Sequence, residues 1–122
     1  MKIKLSQIVE KFSLKVVCNA NNLDVEVNNG YVSDLLSDVL ANSEENDLWI
    51  TLQIHPNIVA IASMKGLSGI VIINNREPEA ETVNKAEEKG IPIIVSQMTA
   101  FELSGRLYAL GLSGTKDDDE GI

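Results

Sequence analysis

Two short runs, residues 69–73 and 91–95, are apolar at almost every position. They constrain this chain more than any other feature. A strand with no polar alternation has both faces covered, the situation of a parallel sheet with helices on either side. Between the runs, residues 77–89 place Ala80, Val83 and Ala86 on one helical face and charges on the other. Gly90 follows as a C-cap, and Pro92 sits at the entry of the second strand, where a missing donor is tolerated. Strand, helix, strand in this order predicts parallel neighbours joined by a right-handed crossover.

The rest of the chain repeats the theme with shorter pieces. Residues 6–12 read as a helix capped by Ser6, with Ile8, Val9 and Phe12 on one side. Residues 14–20 are apolar and β-branched, and residues 23–27 alternate apolar with acidic, so each predicts a strand. Asn28-Asn29-Gly30 reads as a turn. Ser33 and Asp34 are expected to cap a helix over residues 35–41, and residues 48–52 form a compact strand carrying Trp49. Pro56 opens a helix that Gly66 closes, and Thr99 caps a last helix ending at Gly111. The first strands are too close together for helical crossovers throughout, so a small antiparallel or mixed part is expected. The expected fold is α/β: one three-layer-like domain over residues 1–112 with a mostly parallel twisted sheet. Residues 113–122, with Asp117-Asp118-Asp119-Glu120, are expected to form an acidic flexible tail.

Composition narrows the function. At 122 residues the chain suits one domain of ordinary size. A net charge of −8 argues against nucleic-acid partners and anionic membrane surfaces. One cysteine excludes an internal disulfide and a cysteine-rich zinc site. No run approaches the roughly 18–20 apolar residues of a membrane span, and no signal peptide is evident. The expectation is a soluble cytoplasmic domain.

Several segments together resemble a known family. They are the run from Gly30-Tyr31-Val32-Ser33-Asp34 to Val39, Trp49-Ile50-Thr51 followed by Gln53-Ile54-His55-Pro56-Asn57-Ile58-Val59, the strand-turn-helix of residues 69–90, and Thr99 to Tyr108. Over residues 1 to about 112 the chain resembles DRTGG domains, which are similar to the N-terminal domain of HPr kinase/phosphorylase and also occur beside CBS domains. The resemblance implies an accessory regulatory domain. It does not imply kinase activity, which belongs to a separate P-loop domain. Where relatives often carry Thr-Gly-Gly after the central strand, this chain reads Asn74-Asn75-Arg76.

The candidate chemistry is sparse. Gly111-Leu112-Ser113-Gly114-Thr115-Lys116 has the wrong spacing for a phosphate loop and no strand before it. No catalytic set, metal cluster or cofactor motif stands out. Strand-end loops carry the best binding candidates: Gln53, His55 and Asn57 after one strand, Asn74, Asn75 and Arg76 after the next, and Ser96 after the last. A small anionic or nucleotide-like ligand would suit Arg76 beside helix N-terminal amides. Asp34 and Asp38, four apart, read as a cap and a solvated carboxylate, and Cys18 as a buried inert thiol. On the last helix Phe101, Gly105 and Tyr108 form one stripe and Leu103, Leu107 and Leu110 another. The leucine stripe is the expected homodimer interface, or the surface for another protein partner. The leading expectation is therefore a non-catalytic regulatory module. The alternatives are a small enzyme or phosphate-transfer component using His55 or Asp34 with Arg76, and a docking subunit of a metabolic or redox assembly.

Overall fold

The apolar runs pair as parallel neighbours at the centre of a five-stranded sheet. The computed structural model describes residues 3–114. Its strands are β1 (Ile3–Lys4), β2 (Lys15–Cys18), β3 (Glu26–Val27), β4 (Gly30–Val32), β5 (Leu48–Thr51), β6 (Gly69–Ile72) and β7 (Ile93–Val95). Its helices are α1 (Leu5–Phe12), α2 (Leu36–Asn42), α3 (Asn57–Lys65), α4 (Ala80–Lys89) and α5 (Ala100–Leu110). The main sheet has the order β2-β7-β6-β5-β4, with β4 to β7 parallel and β2 antiparallel at one edge. β1 and β3 form a separate antiparallel pair.

Layering follows from this order. β4, β5, β6 and β7 are added in one direction, so right-handed crossovers put α2, α3 and α4 on the same face. Their apolar sides meet Trp49, Ile70, Ile72 and Ile93 in one core. The alternate residues Leu48, Ile50, Val71 and Ile94 point into a second core, closed by α1 and α5. The result is the three-layer α/β arrangement expected from the sequence. Gly69 reflects the tight packing of this second layer, because a Cβ there would stand 3.0 Å from a Leu5 methyl and 3.3 Å from the Pro92 carbonyl oxygen.

Three local expectations are corrected. Ser6 does not cap α1, because the helix begins at Leu5. Its first N–H groups, those of Leu5 and Ser6, donate to the carbonyls of Val25 and Leu23 at 2.9 and 2.8 Å. Those carbonyls are thereby used, so the expected strand over residues 23–27 shrinks to Glu26–Val27. The turn read at Asn28-Asn29-Gly30 runs into strand β4, which becomes an edge of the main sheet by pairing with β5.

The leucine stripe of α5 is the largest correction. Leu103 and Leu107 are 0% and 3% exposed and belong to the second core, with Leu110 packed partly against it. They cannot form a free dimer surface, because α5 crosses back over the sheet and needs this face to cover Ile50, Val71 and Ile94. The stripe left to solvent is the other one, with Phe101, Gly105 and Tyr108. At the end of the described chain Ser113 bridges to Asn29, and its carbonyl accepts from the Gly30 N–H at 2.9 Å. The acidic run at residues 117–120 lies outside the described residues.

Asp47, just ahead of β5, is buried at 3% exposure. Its Oδ2 accepts the Glu44 N–H at 2.8 Å, whereas Oδ1 has no partner among the described residues. Burial pushes its pKa up, and the charge of Glu44 adds to this. The Glu44 N–H, an Asn29 contact and the charge of Lys65 pull the other way. A carboxyl whose folded pKa is raised binds its proton more tightly folded than unfolded. Its stabilising contribution is complete below the unfolded pKa and is lost as pH rises through the folded one. Asp47→Asn is therefore expected to gain stability relative to the parent protein as pH is raised from acid to neutral. Urea midpoints measured across that range check this, and a pH-independent difference between the two proteins would contradict it.

Candidate functional site

The loops at the carboxyl ends of the strands separate into two clusters. In the first, Asp34 follows β4 and joins it to the end of β5. Its Oδ1 accepts from the Thr51 hydroxyl at 2.8 Å and from the Leu52 N–H at 2.7 Å. The Gln53 side-chain amide donates to the Asp34 carbonyl at 2.9 Å, and the Arg76 guanidinium donates to the Leu52 carbonyl. Asp34 thus does not cap α2. That helix starts at Leu36, and the Ser33 hydroxyl oxygen accepts the Leu35 N–H at 3.2 Å. Asp38 is engaged as well, accepting from the Tyr31 hydroxyl and the Asn42 amide at 2.9 Å. The Asn42, Ser33 and Tyr31 bonds hold its pKa below the usual aspartate value. His55 is exposed, and its Nδ1 accepts the N–H of Asn57, which opens α3. The donor groups of Gln53 and Arg76 used here bind backbone carbonyls, so this cluster ties loops together.

The second cluster surrounds a crevice. β6 leads to α4 on one face of the sheet, while β7 leads to α5 on the other. Where successive connections part to opposite faces, an α/β sheet opens a crevice at its carboxyl edge. Asn74 and Asn75 line the parting point with φ of 58° and 54°. Asparagine enters this left-handed region more readily than most residues, which is why the turn forms without glycine. Their N–H groups donate to the carbonyls of Met98 and Ser96 at 3.0 and 2.8 Å. Ser96 is buried, and its Oγ accepts the Met98 N–H at 3.0 Å. Among the described residues, the hydroxyl proton of Ser96 has no acceptor.

Beside this crevice lies a groove of about 450 Å³ between the end of α1, the start of β2, the end of β7 and the flank of α5. Lys11, Lys15 and Arg106 line it together with Asn75, Ser96 and Gln97. The chain has 10 Lys and Arg against 18 acidic residues, so three cations around one hollow is a local reversal of its charge. Lys15 pairs with Glu77 at 2.9 Å and Arg106, through Nε, with Glu102 at 2.8 Å. Both pairs are exposed and contribute little to stability, yet they restrict where the cations point. Of the expected binding residues, Asn75 and Ser96 reach this groove. Gln53 and Arg76 belong to the first cluster, and His55 and Asn57 stand at the start of α3. Lys11, Lys15 and Arg106 escaped the sequence reading. Their only signal there was the scarcity of cations in an acidic chain, since Arg106 lies about 90 positions from the two lysines and meets them through the fold alone.

Among the described residues, no group of three His, Cys, Asp or Glu is arranged to hold a metal ion. Cys18 is buried, with its thiol donating weakly to the Ile91 carbonyl at 3.7 Å, and burial pushes its pKa up. Among the described residues, no helix is long and apolar enough to cross a membrane.

The fold and these loops define a small α/β domain with a mostly parallel five-stranded sheet. One solved structure similar to this chain is that of the CBS and DRTGG domains of the regulatory region of Clostridium perfringens pyrophosphatase, complexed with the activator diadenosine tetraphosphate. The likeness has a TM-score of 0.68 at 19% identity and covers 93% of this chain and 51% of that one. The chain thus spans about half the length of that regulatory region, and the likeness supports a DRTGG-like fold. No family model matches the chain, and no curated protein matches it.

Proposed function

We propose that this chain is a non-catalytic regulatory module that binds a small phosphorylated, nucleotide-like anion in the groove between α1, β2, β7 and α5. The observation that carries this reading is the gathering of Lys11, Lys15 and Arg106 around the sheet's parting point in an otherwise acidic chain. Ser96 adds a buried hydroxyl with its proton available, and Gln97 and Asn75 add amides of the kind that select among anions. The solved neighbour, a regulatory region bound to a nucleotide activator, supports the ligand class. Binding would act by favouring one arrangement of the module over another. The same reading has the module working as a homodimer.

Thermal melts with ATP, diadenosine tetraphosphate and inorganic pyrophosphate test the groove. A ligand at a hundred times its Kd is expected to add about 2.7 kcal/mol to stability and to raise the Tm accordingly. The double variant Lys11→Glu, Lys15→Glu is expected to bind at least about tenfold more weakly, equivalent to about 1.4 kcal/mol. Added salt should weaken binding to the parent protein. No shift with any of the three probes, or a shift that ignores the double charge reversal, would remove the proposal.

A further inference from the structure

The outward face of α5 carries a pattern that reads alike in both directions. Phe101 is 90% exposed and Tyr108 is 72% exposed. They are seven residues apart, two helical turns, and so lie on one side. Ser104 and Gly105 stand between them, and a Cβ on Gly105 would meet nothing within 4 Å. Next to Tyr108 an apolar notch of about 140 Å³ opens between α5 and the edge strand β4, lined by Val32, Ile50, Ser104 and Leu112 among others. A cavity of about 150 Å³ holds one benzene-sized ring. Val32 is itself half exposed, so the notch opens onto the sheet edge.

We infer that this face is the contact between two copies of the chain, packed as antiparallel helices about a two-fold axis between Ser104 and Gly105. The inference rests on the homodimeric reading above and assigns it a surface. Under this axis each residue meets the one equally far beyond the centre. Phe101 of each copy therefore lies against Tyr108 of the other and at the mouth of its notch, which has room for one ring. The opposite flank matches in charge, because Glu102 and Arg106 stand almost symmetrically about the same centre. Their bond within one helix, 2.8 Å long, can be exchanged for one between copies. The small central pair lets the helices approach toward the lower end of the usual 8–10 Å separation. Area also favours a second copy. Two aromatic side chains of about 150–250 Å² each, mostly exposed, supply a large share of the roughly 800 Å² per partner in a stable interface. An isologous contact uses one patch twice, and this patch complements itself.

Sedimentation equilibrium of the full chain over a wide concentration range tests the assignment. The parent protein should be dimeric, and Phe101→Ser and Gly105→Leu should each raise the dimer Kd at least about tenfold. Their far-UV circular dichroism should stay that of a folded domain, since neither position is buried. Glu102→Arg alone and Arg106→Glu alone should each associate weakly, because like charges then face each other. Mixing those two proteins should restore association as a heterodimer. A parent protein that stays monomeric overturns both the homodimer and this surface. A dimer indifferent to Phe101→Ser and Gly105→Leu overturns the surface alone. Weakening without recovery on mixing overturns the antiparallel register.

Discussion

Leu103→Asp is expected to leave no cooperatively folded protein under conditions in which Phe101→Asp folds normally. The two positions are neighbours on α5 yet lie on opposite sides of it. Leu103 is fully buried in the core with Ile50, Val71 and Ile94, whereas Phe101 projects into solvent. Removing a buried leucine costs about 2–5 kcal/mol. A carboxylate buried there without a partner costs several kcal/mol more, even after its pKa rises to keep it neutral. Together these match the roughly 5–15 kcal/mol that holds an ordinary domain. Within its own chain Phe101 makes no buried contact to lose, so the fold of the single domain changes by no more than about 0.5 kcal/mol. Far-UV circular dichroism with urea titration distinguishes the two. A Leu103→Asp protein with a midpoint near that of the parent would mean that α5 does not close the second core.

The next largest effect is expected at Trp49. This side chain is fully buried at the centre of the first core, and its Nε1–H donates to the Ser33 carbonyl at 2.8 Å. Trp49→Ala removes the largest buried side chain in the protein and is expected to cost about 3–5 kcal/mol. Trp49→Phe keeps most of the apolar contact and loses the hydrogen bond to Ser33. Its cost should be smaller, with about 0.5–1.5 kcal/mol from the hydrogen bond and the remainder from the smaller ring. The pair thus divides the role of Trp49 into packing and the tether between the β4–α2 connection and β5. Urea midpoints from circular dichroism provide the comparison. Equal losses in the two variants would show that the tether outweighs the packing, contrary to the fully enclosed ring.

Much of the architecture was legible before any coordinates. Residues 69–73 and 91–95 carry no polar alternation, and only a strand covered on both faces accepts that. The period of residues 77–89 placed a helix between them, and Gly66, Gly90 and Gly111 marked helix ends that the structure keeps. The DRTGG-like fold agrees with the solved neighbour. What escaped depended on partners far away in sequence. Residues 23–25 have the alternation of a strand, but their carbonyls receive the first N–H groups of α1. Gly30–Val32 resembles the end of a turn until β5 lies beside it. Asp34 looks like a helix cap until the Thr51 hydroxyl comes within 2.8 Å.

The sequence alone determined the five helices and the central strands of a covered, mostly parallel sheet, because periodicity and end signals act over a few residues. It also exposed two apolar stripes on the last helix. Only the tertiary structure decided which stripe is core, since α5 could have turned either side to the sheet and the choice depends on the whole surface it must cover. The basic groove was decided in the same way. Lys11, Lys15 and Arg106 share one hollow because α5 crosses back over the sheet past the end of α1 and the start of β2, a proximity created by the path of the chain.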